Sequence, residues 1–226
     1  TLPMMVGSFL QQCYNIADTL IVGQCIGAGA LAAVGSAYTL MVFLISVLLG
    51  LAMGSGTVFS LHYGAGNHVA LRRSIFSSFA LIGIVTLILN VVVFIWLDPI
   101  LRLLQVPQDI YGMMRSYLWI IFCGIVFTFI YNFYASLLRA VGDSVTPIWF
   151  LAVSVVLNIA LDLFFILQLD WGIQGAAAAT VLAQGVAALG IIIYTYRRRP
   201  ELRWHHEDMC FDRTCLKEIA SFSTLT

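Results

Sequence analysis

The stretch PIWFLAVSVVLNIALDLFFILQL, residues Pro147 to Leu169, decides the fold class of this chain. As a helix rising 1.5 Å per residue it would extend about 35 Å, slightly more than the roughly 30 Å hydrocarbon core of a bilayer. Its one ionisable side chain is Asp162. A carboxylate at membrane depth costs at least about 2.5 kcal/mol, and residues of this kind mark functional sites. We therefore interpret the stretch as a transmembrane helix that holds a functional carboxylate.

The composition of the whole chain indicates a polytopic membrane protein. Of its 226 residues, 61% are hydrophobic and 10% are charged, and the mean hydropathy is +0.97. A soluble domain would carry about 25% charged residues. The formal net charge is zero, so total charge identifies no partner, and we expect no nucleic acid among the partners. Five cysteines, an odd number, predict no disulfide framework.

Six apolar runs have the length of a transmembrane helix, and together they predict an all-α bundle of six transmembrane helices. The predicted spans are Leu2 to Ile26, Tyr38 to Tyr63, Ile75 to Leu97, Tyr117 to Leu138, Pro147 to Leu169, and Gly172 to Tyr196.

The basic residues predict the orientation of the bundle. With the N-terminus in the cytoplasm, all of the 11 basic residues except Arg102 and Arg115 fall on the inner side, as the positive-inside rule requires. Residues 1–197 then form a six-helix lobe, residues 198–218 a cytoplasmic linker, and residues 219–226 the start of a further helix that is cut short. Because the chain opens at Thr1 without a Met or a basic leader, we expect it to be a piece of a longer protein.

Polar residues in three of the spans are predicted to share one depth. Asp18 and Asp162 lie shortly before the outer ends of the first and fifth spans, and Thr180 lies a similar distance into the sixth. Each would be roughly 10 to 12 Å below the external surface. Asn158 precedes Asp162 by one helical turn and faces the same side. We expect these four side chains to converge.

The chemistry of these four side chains suits a small cation. Carboxylate, amide and hydroxyl oxygens are the ligands that hard cations such as Na⁺ prefer. A buried carboxylate without a partner can also carry a proton. The residues therefore predict a site for Na⁺ or a proton. The alternative, from the residues alone, is that they only hydrogen-bond neighbouring helices.

Several segments resemble the multidrug and toxic compound extrusion (MATE) transporters. The first helix of that family is similar to PMMVGSFLQQCYNIADTLIVGQCIGAGALAAVG (Pro3 to Gly35), and its second helix with the following loop to GLAMGSGTVFSLHYGAGN (Gly50 to Asn67). Its fourth-to-fifth connection resembles LLRAVGDSVTP (Leu137 to Pro147), and the start of its sixth helix resembles WGIQGAAAATVLAQ (Trp171 to Gln184). The segments occur in the order of the family, which makes the resemblance specific.

The resemblance implies a transporter of twelve helices in two six-helix lobes, with a cleft that opens alternately to each side. This chain would be the N-terminal lobe, and the C-terminal lobe of the same protein would be its partner. The resemblance also implies a cation site at Asp18, Asn158, Asp162 and Thr180, with the Ala176 carbonyl as a further ligand. The implied function is antiport, in which organic, often cationic, drugs leave in exchange for Na⁺ or a proton. No enzymatic reaction and no cofactor other than Na⁺ is expected.

The implied location is the cell membrane, with the N-terminus and the linker in the cytoplasm and a small organic substrate as ligand. The main alternative is a flippase of the same superfamily that exports a lipid-linked precursor. Such flippases line their cleft with basic residues, and no Lys or Arg lies deep in the predicted spans. An intramembrane aspartyl protease would need Tyr-Asp and Gly-x-Gly-Asp motifs, whereas Asp18 follows Ala17 and Asp162 follows Leu161. A channel is disfavoured because the acidic residues are enclosed within one lobe.

Overall fold

The computed structural model describes residues 2–103 and 106–203, and these form a bundle of α-helices joined by short turns. In chain order the helices are α1 (Leu2–Cys25), α2 (Ala28–Gly64), α3 (His68–Leu103), α4 (Gln108–Cys123), α5 (Ile125–Ala140), α6 (Thr146–Leu163) and α7 (Gly172–Arg198). A π-helical turn, Phe164–Gln168, continues α6, and a 3₁₀ turn, Pro200–Leu202, follows α7.

The prediction of an all-α membrane bundle is confirmed. Four of the described helices, α2, α3, α7 and α6 with its π-helical turn, are each long and apolar enough to cross a bilayer, and α4 with α5 counts as a fifth span. α1 has the length for a sixth span, 24 residues, but it is not apolar enough to count among these helices. α1 is more polar than the other spans, because it carries Gln11, Gln12, Asn15 and Asp18.

Two helices extend well beyond their predicted spans. α2 has 37 residues and starts at Ala28 rather than Tyr38, and α3 has 36 residues and starts at His68 rather than Ile75. At 1.5 Å per residue each is about 55 Å long, nearly twice the thickness of the hydrocarbon core. Hydropathy marks the part of a helix that lipid covers, whereas backbone hydrogen bonding continues past it.

The predicted fourth span, Tyr117 to Leu138, is present but is bent and begins earlier, at Gln108. The span consists of α4 and α5, which meet at Gly124 with a bend of 46°. At the bend the Gly124 N–H donates to the carbonyls of Ile120 and Ile121, at 3.3 and 3.0 Å. Hydropathy could not reveal the break because both halves of the span are apolar.

A tight reversal connects α6 to α7 at one end of the bundle. Asp170 and Gly172 both adopt positive φ, 52° and 55°, which turns the chain back on itself. The Phe165 ring, in the π-helical turn, stacks on Trp171 with a centroid distance of 5.2 Å. This turn brings the adjoining halves of α6 and α7 side by side.

Helix packing places α1, α6 and α7 next to one another. α7 contacts α4, α5 and α6, while α1 contacts α2, α6 and α7. The other side of the bundle is sealed by an aromatic cluster in which Phe133 contacts Phe59, Phe79 and Phe129. Polar side chains on α1, α6 and α7 can therefore meet inside the bundle.

The predicted division into a lobe, a linker and a further helix stays a prediction. The described residues end at 203, so most of the predicted linker, 198–218, and all of 219–226 lie outside them. Leu202, in the 3₁₀ turn, is 3% exposed, and this turn contacts α3 and α7. The first residues after α7 are therefore packed against the bundle.

Candidate functional site

The two intramembrane aspartates meet between α1 and α6. Asp18 is 8% exposed and Asp162 is fully buried. Their carboxyl groups lie within reach of a side-chain hydrogen bond to each other. Two carboxylates can approach this closely only if a proton or a cation offsets their charge, because like charges repel strongly away from water.

Asn158 links Asp162 to α7. One orientation of its buried amide satisfies both ends: the nitrogen donates to Asp162 Oδ2 at 3.2 Å, and the oxygen accepts from the Thr180 backbone N–H at 3.3 Å. The opposite orientation brings the nitrogen 3.3 Å from Thr180 Oγ1 but leaves the amide oxygen facing only acceptors. Asn158 therefore holds the Asp162 carboxylate at a set position relative to α7.

Thr180 completes the group on α7. Its hydroxyl donates to the Ala176 carbonyl at 3.1 Å. The Thr180 hydroxyl and the Ala176 carbonyl, both expected from the sequence to be ligands, therefore lie side by side. Asp18, Asn158, Asp162, Thr180 and the Ala176 carbonyl are thus brought into one cluster, which we call the carboxylate cluster. Their role as an ion-coupling site stays a prediction.

Sequence reasoning missed two tyrosines beside the carboxylate cluster. Tyr14 Oη donates to Thr180 Oγ1 at 3.1 Å, and Tyr117 is 3% exposed and close enough to Asp18 and Asp162 to interact with them electrostatically. A signal existed for Tyr14, which precedes Asp18 by one helical turn and so shares its face of α1. Tyr117 had no comparable signal, because its neighbours in the cluster lie on other helices.

Two carboxylate oxygens in the cluster have no hydrogen-bond donor among the described residues. These are Asp18 Oδ1 and Asp162 Oδ1, both shielded from solvent. A buried acceptor left without a partner costs about 1–3 kcal/mol. Together with Thr180 Oγ1 and the Ala176 carbonyl, these oxygens form a donor set that suits a hard monovalent cation or a proton.

A cavity of about 990 Å³ opens beside the cluster. Asp18, Tyr14 and Thr180 line it, whereas Asn158 and Asp162 lie behind that lining. Its wall also includes polar side chains of α1 and α5, among them Gln11, Asn15, Asn132 and Arg139. Asp18 therefore has one side towards the buried Asp162 and the other towards the cavity.

The charged groups of this cavity lie at opposite ends. Among its lining residues Asp18 is acidic and Arg139 is basic. Arg139 belongs to the last turn of α5, which is the cytoplasmic end in the predicted orientation. It donates through Nε to the Ala135 carbonyl of its own helix at 3.0 Å. The cavity wall is otherwise neutral in the part that the structure describes.

Comparison with known proteins identifies the family. The family model described as MatE matches residues 3–164. The chain is 35% identical over 199 residues to "Probable multidrug resistance protein YpnP" of Bacillus subtilis, which covers 88% of this chain and 45% of that protein. It is 31% identical over 206 residues to "Multidrug export protein MepA" of Staphylococcus saprophyticus, covering 88% of this chain and 44% of that protein.

A solved structure has the same fold. It is described as the outward-facing conformation of a multidrug resistance MATE family transporter of the MOP superfamily, and it superposes with a TM-score of 0.91 at 26% identity. The match covers 99% of this chain and 50% of that one. This chain spans about half the length of the relatives that it matches. The family model matches residues 3–164, which is more than half of the chain and contains both aspartates. The chain therefore belongs to the MatE family.

Proposed function

We propose that this chain is the N-terminal lobe of a two-lobe exporter that moves organic, often cationic, drugs and toxic compounds out of the cell in exchange for Na⁺ or protons. The relatives named for multidrug resistance and export support the substrate class. Their greater length supports a partner lobe in the same protein. The proposed location is the cell membrane, with the N-terminus and the residues after α7 in the cytoplasm and no enzymatic step.

The observation that carries this proposal is the pair of facing carboxyl groups with two unpartnered oxygens. A buried pair of this kind is unfavourable by itself, and a fold that only needed hydrogen bonds between helices would not leave Asp18 Oδ1 and Asp162 Oδ1 without donors. A bound cation or proton would offset the repulsion. The proposed coupling site is therefore Asp18, Asn158, Asp162 and Thr180, with the Ala176 carbonyl.

The position of α1 explains how ion binding would change the transporter. Asp18 is on α1, and its partners in the carboxylate cluster are on α6 and α7. Ion binding would draw α1 towards α6 and α7, and ion release would let the two carboxylates repel. The same helix lines the cavity through Gln11, Tyr14 and Asn15, so its movement would change the cavity wall. The ion drives this change only because it binds the two arrangements unequally.

Drug export is favoured over the flippase alternative by the charge of the cavity. A lipid-linked precursor carries phosphates, and its path would need several basic groups. Within the described part of the lining, Asp18, which belongs to the carboxylate cluster, is the acidic residue and Arg139 is the basic residue. An acidic group in the cavity wall suits an organic cation better than a phosphate.

The test is Asp162→Asn in the full-length protein that contains this lobe. The amide keeps the size of the side chain and removes its charge, so we expect cation-driven export in membrane vesicles to fall at least about tenfold, which is the smaller effect seen when only a partner of a metal ligand is changed. Asp98→Asn is the matched control. Asp98 is 45% exposed and pairs with Arg115 at 2.9 Å, so its loss should leave transport unchanged.

Dissipating the Na⁺ and proton gradients separately in the same vesicles identifies the coupling ion. Export should stop when one of them is removed. Export by Asp162→Asn at the unmodified rate and with the same ion dependence would refute the assignment of the carboxylate cluster. Export that is insensitive to both gradients in the unmodified protein would refute coupling altogether.

A further inference from the structure

The bend in the fourth span lies directly against α7 at the carboxylate cluster. A Cβ atom added at Gly124 would lie 2.4 and 2.7 Å from the two γ-carbons of Val181 and 3.0 Å from its Cβ. Favourable contacts between carbon atoms are at about 3.5–4.0 Å. Any residue larger than glycine would therefore have to displace Val181 by about 1 Å. Val181 directly follows Thr180.

A side chain from a third helix holds the bend in place. Asn90 on α3 donates through Nδ2 to the Phe122 carbonyl at 2.9 Å. Phe122 is in the last turn of α4, where the carbonyls of a helix lack partners within the helix. The donated hydrogen bond satisfies one of these carbonyls, so the break has its own polar support inside the bundle.

The two halves of the bent span serve different parts of the site. α4 carries Tyr117, which lies beside the two aspartates. α5 carries Thr128, Asn132 and Arg139, which line the cavity. Gly124 and Val181 line it as well. The bend therefore sits where the carboxylate cluster meets the cavity wall.

We propose that Gly124 is a positioning residue for the coupling site: its missing side chain lets Val181 pack against the bend, and this packing holds Thr180 in register with Asn158 on α6 and Tyr14 on α1. This inference rests on the proposed function. Thr180 contacts the other helices through Tyr14 Oη at 3.1 Å and the Asn158 amide oxygen at 3.3 Å. A shift of about 1 Å at the next residue would break hydrogen bonds of that length.

The proposal predicts a specific kinetic change for Gly124→Ala in the full-length transporter. The concentration of the coupling ion that gives half-maximal export should rise about tenfold or more, as for other changes to the support of ion ligands. The half-saturating drug concentration at saturating ion should change much less, because one added methyl group alters only a small part of the cavity wall. A purely structural role would instead lower the amount of folded transporter and leave both concentrations as they were.

Three further variants make the experiment decisive. Gly112→Ala, also on α4, adds a Cβ where no atom lies within 4 Å, so it controls for replacing a helical glycine. Val181→Ala in the Gly124→Ala background removes the two γ-carbons that would clash and should restore most of the ion affinity. Val181→Ile in the unmodified background crowds the same contact from α7 and should weaken ion affinity even if Gly124→Ala folds poorly.

The outcomes separate this inference from the proposed function. If the unmodified protein shows ion-dependent export that Asp162→Asn removes, but Gly124→Ala and Val181→Ile keep the unmodified ion dependence, the positioning role is refuted and the coupling site stands. If Gly124→Ala lowers the ion affinity and the added Val181→Ala does not restore it, the contact between residue 124 and Val181 is not the cause. Export without any ion dependence in the unmodified protein would refute the coupling site itself.

Discussion

Replacing Asp18 with asparagine should stabilise the ion-free protein and remove its response to the coupling ion. Asp18 is 8% exposed and faces a fully buried Asp162. For two unit charges roughly 4 Å apart at an effective dielectric constant of about 20, the repulsion is about 4 kcal/mol. The amide removes this repulsion and keeps the shape of the side chain, but it also removes one negative charge from the proposed ion site.

Thermal unfolding of the purified full-length protein in detergent measures both effects. The titration varies Na⁺ at constant ionic strength, with N-methylglucamine as the replacement, and then varies pH at constant Na⁺. A ligand at 100 times its Kd stabilises a protein by about 2.7 kcal/mol, which gives a readily measured rise in Tm for the unmodified protein. Asp18→Asn should start from a higher Tm without the ion and show a nearly flat titration.

One result would refute this reasoning. If Asp18→Asn has the same Tm as the unmodified protein without the ion, and the same dependence on Na⁺ and on pH, the two carboxyl groups do not form a charge-compensated pair. Asp98→Asn makes the same substitution at an exposed aspartate and serves as the control. It should leave the Na⁺ and pH titrations as they are in the unmodified protein.

Two further predictions concern the packing that supports the site. Gly190→Ala would place a Cβ 2.6 Å from the Phe150 ring, so we expect overpacking between α6 and α7 to cost about 1–3 kcal/mol of unfolding free energy in a chemical denaturation experiment. Asp143→Ala removes a side chain that accepts from the backbone N–H and the hydroxyl of Thr146 at 3.1 and 2.8 Å, and should cost about 1 kcal/mol at neutral pH, as loss of a helix cap does. Burial acts to raise the pKa of Asp143, but hydrogen bonds from Thr146 and Tyr194 and the nearby charge of Arg199 hold that pKa below its ordinary value. The stabilisation should therefore be complete above the ordinary aspartate pKa and disappear as the pH falls through the lowered one.

The first of these predictions is checked with a control variant, and the second with a series of pH values. Gly112→Ala, in open space on α4, should be neutral or slightly stabilising, and equal effects at Gly190 and Gly112 would contradict the packing argument. For Asp143, melting curves of the unmodified protein and of Asp143→Ala between neutral and acidic pH should converge at low pH. A constant gap would mean that the charge of Asp143 contributes nothing to the cap.

The carboxylate cluster could be anticipated from the sequence to a large extent. Asp18, Asn158, Asp162 and Thr180 are polar residues in apolar spans, and helix geometry places them at similar depths. Depth restricts a residue to a plane within the bundle but does not say which neighbours it faces. Tyr14 was missed for this reason, since its hydrogen bond to Thr180 joins residues 166 positions apart.

The ends and breaks of the helices were harder to predict from the sequence. The start of α2 at Ala28 and the bend at Gly124 have no hydropathy signal, because the apolar character of the chain continues through both. The residues that contact the bend, Val181 of α7 and Asn90 of α3, are remote from Gly124 in the chain. A pattern of neighbouring residues contains no information about such contacts.

The sequence by itself determined that this chain lies in a membrane, that it is all helical, and that a few oxygen-bearing side chains are placed inside it at a cost. These properties follow from the free energy of moving each residue from water into lipid, which is local and largely additive. Only the tertiary structure decided that Asp18 faces Asp162, that Asn158 joins Asp162 to α7, and that Gly124 leaves room for Val181. These arrangements depend on how separate helices pack, which side-chain shape and hydrogen-bond geometry determine over distances of about 3 to 4 Å.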